Sequence, residues 1–154
     1  LSNRLLLACG LAWGAAAIHL QAAVEHVDEY VPYAVCFLLL ALAQLLWGFA
    51  IGRAPTRRLL AAGALGSLMV VALWVVSRTS GLPVGPETWE PERVGALDSL
   101  ASADEVLLAL IVAFELGRGR AGMLLRACTQ LATGAGVCLV LLSSLSLAYA
   151  GHAH

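Results

Sequence analysis

The chain has 154 residues, 60% of them hydrophobic and only 12% charged, with a mean hydropathy of +0.86. A soluble domain carries about 25% charged residues, so a water-soluble fold is all but excluded. The net charge of -1 and a pI near 6.5 leave no electrostatic footprint for nucleic acid, and all nine basic residues are arginine, which excludes a lysine Schiff base to retinal or pyridoxal phosphate.

Spans of about 20 apolar residues, rising 1.5 Å each, cross a hydrocarbon core about 30 Å thick. On that measure the sequence predicts helices at Leu5 to Val24, Ala34 to Ile51, Leu59 to Val76, Leu100 to Leu116 and Met123 to Tyr149. The expected fold class is all-α: a polytopic transmembrane helix bundle with five spans, forming a single integral-membrane domain over residues 1–154. Arg4, Arg53, Arg57, Arg58, Arg118, Arg120 and Arg126 then fall at one membrane face, and Arg78 and Arg93 at the other. Positive charge favours the inside, so the N-terminus is expected in the cytoplasm and the C-terminus outside. The expected location is the bacterial plasma membrane. The expected partners are the lipid bilayer and either a homo-oligomer or another subunit of a membrane complex.

On the first helix, at 100° per residue, His19 and His26 lie within about 20° of one another. They share a stripe with Ala8, Ala12, Ala15, Ala16, Ala22 and Ala23. Small residues allow close helix approach in lipid, so this stripe is expected to face the bundle, with Leu6, Trp13 and Leu20 turned away. Two helical turns separate the imidazoles by about 10 Å, too far to chelate one metal from an undistorted helix. If the helix continues past the membrane, His26 and Glu29 stand at the i, i+3 spacing that bundle metal sites use.

Gln44 on the second helix, Gln130 on the fifth and Gln21 beside His19 read as interhelical hydrogen-bond glue. Cys9, Cys36, Cys128 and Cys138 all fall inside spans as small apolar residues, with Cys36 the one placed to approach the histidines. Between the third and fourth helices, Ser77 to Leu97 holds Pro83, Pro86, Pro91, Gly81, Gly85 and Gly95, and is expected to form an ordered, non-helical outer cover. Trp89, Tyr30, Tyr33 and Tyr149 fit an interfacial aromatic belt.

On the fourth helix Asp98, Ser102 and Glu105 share a stripe, with Asp104 about 100° away. Ionisable residues at membrane depth are costly and face other polar groups, so Glu105 is expected to pair with His19. That pair reads equally as a functional site or as a satisfied bond that fixes helix register. Glu115 is expected to pair with Arg118 at i+3. At the chain's end His152 and His154 present an H-x-H that suits Cu(II) or Zn(II), on the same face as Glu25, His26, Asp28 and Glu29.

The stretch Ser77-Arg78-Thr79-Ser80-Gly81-Leu82-Pro83-Val84-Gly85-Pro86, followed by Val94-Gly95, Asp98 and Glu105, resembles a pattern in uncharacterised small multi-pass membrane proteins of actinobacteria. The resemblance extends to His19, to the segment from Glu29 to Phe37, and to Gln44 through Trp47. It implies a multi-pass membrane fold and draws attention to those polar residues, but it implies no reaction.

Three functions fit these residues. The first is a copper- or zinc-binding membrane protein with an outer-leaflet site drawn from His19, His26, Glu29, Asp98, Glu105, His152 and His154. Such a site would either handle the metal or act as a membrane metalloenzyme, with Glu105 or Asp104 as proton acceptor. Calcium or magnesium fits less well, because it would leave the histidines without a role. The second is a proton-linked small-solute or ion transporter or channel that uses a His19/Glu105 relay, with Arg78 and Arg93 tuning its outer mouth. The third is an accessory subunit whose polar residues only lock helices together.

Overall fold

A computed structural model describes residues 2–117 and Gly136. Four helices occupy that range: α1 (Asn3–Glu25), α2 (Val31–Arg53), α3 (Arg57–Thr79) and α4 (Ala96–Gly117). The fold is all-α over these residues. Three of the helices, α1 to α3, are long and apolar enough to cross a membrane.

Each helix begins two to four residues before its apolar run and ends one to three residues after it. Capping groups, not hydropathy, set these ends. The Ser2 hydroxyl accepts from the Leu5 N–H at 3.3 Å and the Thr56 hydroxyl from the Leu59 N–H at 3.2 Å. Pro32 occupies the first turn of α2, where its missing N–H costs nothing. Asp98 lies in the first turn of α4, the end that favours negative charge.

α1 packs along α2 and α4, and α3 packs along α4, while α2 and α3 scarcely touch. Burial follows this order. α1 buries Ala8, Ala12, Ala15, Ala16 and Ala23, so the alanine stripe does face the bundle, while Leu6, Trp13 and Leu20 are exposed as expected. α2 and α3 instead expose Leu38, Leu42, Leu46, Leu65, Met69 and Leu73, an arrangement that suits lipid contact. α4 carries four acids, Asp98, Asp104, Glu105 and Glu115, and it tolerates them because its neighbours bury the helix on most sides.

The apolar core lies at the end of the bundle that holds the N-terminus. It is built from Leu5, Cys9, Leu11, Ile51, Leu60, Leu108, Ile111 and Val112. Trp47 closes the space between α2 and α3 there: its indole lies against Gly63 and donates to the Leu59 carbonyl at 2.8 Å. The expected fifth span, Met123 to Tyr149, lies outside the described residues except for Gly136. That residue is helical and buried, and a Cβ built on it would stand 3.0 Å from Leu107 and 3.1 Å from Leu7.

Candidate functional site

Near the middle of the bundle each helix contributes one polar side chain to a connected group. Gln44, Ser67 and Glu105 each lie within about two residues of their helix midpoints, and His19 reaches the same level from the C-terminal half of α1. His19 Nδ1 lies 2.9 Å from Gln44 Oε1, the Gln44 amide nitrogen donates to Glu105 Oε1, and the Ser67 hydroxyl hydrogen-bonds to the same carboxyl group. Glu105 and Asp104 are 1% and 0% exposed, so two acids adjacent in sequence are both fully enclosed.

The hydrogen-bond directions follow from what each atom can do. Gln44 Oε1 only accepts, so in this arrangement His19 Nδ1 carries a proton and, in the neutral ring, Nε2 keeps its lone pair. His19 and Glu105 are therefore linked through an amide and do not pair directly, a correction to the expected contact. Gln44 is the interhelical connector its composition implied. Gln21 is not: it donates to Glu25 at 3.0 Å, four residues along its own helix.

The end of the bundle away from the N-terminus is organised separately. α1 stops at Glu25, so His26 and Glu29 belong to a turn and not to a continued helix; they still approach to 3.9 Å. His26 Nδ1 lies 2.8 Å from the Ala22 carbonyl, which fixes the proton on Nδ1 and leaves Nε2 toward Glu29. The Phe37 ring stands between the two histidines, 6.0 Å from His19 and 5.2 Å from His26 by ring centroids. Cys36 is exposed on α2.

Asp98 takes part in neither group. Arg78, largely buried, pairs with Asp98 at 2.5 Å and with Glu92 of the loop between α3 and α4. The loop is ordered, as expected. The Glu92 N–H donates to the Ser77 carbonyl, the Trp89 N–H to Leu82, and the Tyr33 hydroxyl to the Val84 carbonyl at 2.5 Å. At Gly85, φ is 112° and the Tyr33 ring occupies the space a side chain would take.

Among the described residues no three histidine, cysteine or acidic side chains gather closely enough to hold a metal ion. His152 and His154, Gln130, Arg118, Cys128 and Cys138 lie outside those residues. Glu115 meets Arg4 at 3.6 Å and the Ser2 hydroxyl at 3.4 Å, a link between α4 and the chain's start that local spacing does not reveal. Sequence reading also missed Ser67 and the placement of Phe37. Ser67 had one available signal, a hydroxyl at mid-span on an otherwise apolar helix.

Comparison with protein families, characterised proteins and solved structures found no match to the chain. The functional reading therefore rests on the polar layer itself.

Proposed function

We propose that the chain is a five-span bacterial plasma-membrane protein that couples protonation of Glu105 to movement of a small solute or ion. The observation that carries this reading is Glu105 itself: enclosed at mid-bundle, it is bonded to a neutral amide and a neutral hydroxyl and lies beside a second enclosed acid. Ionisable groups inside a membrane bundle mark ion or proton paths. The N-terminus is cytoplasmic in this reading, because Arg4, Arg53, Arg57 and Arg58 gather at one end of α1 to α3, with Glu25, Asp28, Glu29, Glu87, Glu90 and Glu92 at the other. α4 is the fourth span, and Met123 to Tyr149 the fifth.

The amide between His19 and Glu105 gives the relay two polarities. With Glu105 ionised, Gln44 donates to the carboxylate and accepts from His19 Nδ1. When Glu105 takes up a proton and the amide turns over, the carboxyl donates to Gln44 Oε1 and Gln44 Nε2 donates to His19 Nδ1, whose proton has moved to Nε2. One proton is gained, and the hydrogen-bond polarity across α1, α2 and α4 reverses. The apolar core beyond this layer separates it from the N-terminal end, so transport requires that core to rearrange. The polar residues marked by the actinobacterial resemblance, His19, Gln44, Asp98 and Glu105, include three members of this layer.

The test is proton uptake by vesicles that contain the purified chain and a trapped pH dye, under an inside-negative potential. It is run alone and with a panel of monovalent cations and small metabolites. Uptake above that of Glu105→Gln in at least one condition is expected; equality of the two proteins in every condition overturns the reading.

A second reading is supported by His26. Its Nδ1 is held by a backbone carbonyl while Nε2 points toward Glu29, the orientation that outer partners impose on metal-ligating histidines. Copper or zinc at His26 and Glu29, completed by His152 and His154, is the form of the metal proposal that fits. His19, Asp98 and Glu105 are engaged elsewhere.

A further inference from the structure

Ser67, Trp74 and Arg78 lie on one stripe of α3, within about 40° at 100° per residue. Both ends of that stripe meet α4, Ser67 at Glu105 and Arg78 at Asp98, so the stripe faces α4 and Trp74 stands between. On α4 the facing stripe is Glu105, Ser102 and Asp98, with Ser102 buried. On this stripe two buried donors, Trp74 Nε1 and Arg78 Nε, have no acceptor among the described residues. They are one helical turn apart. Elsewhere in the bundle an indole in a comparable setting is satisfied, since Trp47 donates to the Leu59 carbonyl.

A buried N–H without a partner costs about 1–3 kcal/mol, and native proteins meet such groups with ordered water where the site is polar. Here Ser67 and Ser102 place hydroxyls on the two walls, and Arg78, its charge offset by Asp98 and Glu92, stands at the end of the seam. We propose that the α3–α4 seam is a hydrated path by which protons reach Glu105 from the face that carries Arg78 and Asp98, with water accepting from Trp74 Nε1 and Arg78 Nε. The proposal rests on the proton-linked reading and supplies its access route. Among the described residues, the groups facing Glu105 along that route and around it are Ser67 and Gln44, the adjacent Asp104, and His19 through the amide.

The test uses the full chain in phosphatidylcholine/phosphatidylglycerol bilayers. In protein labelled with 15N at the indoles, each assigned by its Trp→Phe variant, the Trp74 N–H should show a water cross-peak and exchange with solvent at least about tenfold faster than the Trp47 N–H. The Glu105 carboxyl band in the infrared, assigned by its loss in Glu105→Gln, should respond to a pH jump. In Trp74→Phe its response should be slowed about tenfold while the final band is unchanged. Trp47→Phe should leave the rate as it was. A Trp74 N–H as protected as that of Trp47, or a Glu105 response unaltered in Trp74→Phe, overturns the path while leaving the proton-linked reading in place. A Glu105 band that never responds to pH removes that reading and the path together.

Discussion

His19 and Glu105 communicate through a third side chain: the Gln44 amide accepts at one end and donates at the other, tying α1 to α4 by way of α2. A direct ion pair would have confined the contact to two helices. The amide instead makes α2 part of it, and Ser67 adds α3.

The energetic consequence is specific. In unfolding titrations from detergent micelles, a double-mutant cycle of His19→Leu with Gln44→Leu should return a coupling of about 0.6–1.7 kcal/mol, the range of interhelical hydrogen bonds in membranes. The cycle of His19→Leu with Glu105→Leu should return less, because those residues share no bond. A larger coupling for the second cycle than for the first would mean that the two residues meet directly.

At the end of the bundle away from the N-terminus, the Tyr33 hydroxyl and the Val84 carbonyl join α2 to the loop between α3 and α4. Since α2 and α3 hardly touch, this bond is a principal tie between them on that side. Tyr33→Phe should therefore speed amide exchange at Trp89, whose N–H bonds to Leu82 within the loop. Gly85→Ala should do so more strongly, because it combines a positive φ with a clash against the Tyr33 ring. Unchanged exchange in both variants would show that the Tyr33–Val84 bond does not hold the loop.

Much of this architecture was readable in the sequence. Hydropathy located all four described helices to within a few residues, and the alanine stripe gave the buried face of α1, because both depend on local periodicity. The bridge at Gln44 was not readable, nor was the pairing of Glu115 with Arg4. Each depends on which helices are neighbours, and a span pattern does not encode adjacency. The separation of the expected metal ligands has the same origin. Asp98 and Glu105 share a stripe on α4, yet one end of that stripe meets Arg78 and the other meets Gln44 and Ser67. Local spacing predicted the stripe and could not predict its partners.

The orientation can be tested by labelling. In a background with the native cysteines replaced, a cysteine introduced by Trp89→Cys should react with an impermeant maleimide added to intact cells, and one introduced by Arg57→Cys should react only after permeabilisation. Both positions are exposed, so accessibility does not bias the comparison. The opposite pattern would invert the topology.

For the metal reading, protein purified without a polyhistidine tag should hold copper or zinc near one equivalent, and His26→Ala should lower that content. Full metal content in His26→Ala would exclude this histidine as a ligand.

The last prediction concerns a close joint between α2 and α3. The Trp47 indole fills the space above Gly63, and any Cβ at that position would overlap the ring. Gly63→Ala should therefore displace the indole, break its bond to the Leu59 carbonyl and destabilise the bundle by about 1–3 kcal/mol, the usual cost of overpacking. Trp47→Ala alone should also destabilise, through lost contact and the lost indole hydrogen bond. Combined, the two changes should cost less than their sum, because removing the indole opens the space that the new methyl group needs. A second consequence separates this joint from the polar layer. Trp47 lies toward the N-terminal end, below Gln44, so the double variant should keep the His19–Gln44 coupling measured above. Strict additivity of the two substitutions would mean that α2 and α3 are not held together at this point, and loss of the His19–Gln44 coupling would mean that the joint sets the geometry of the layer.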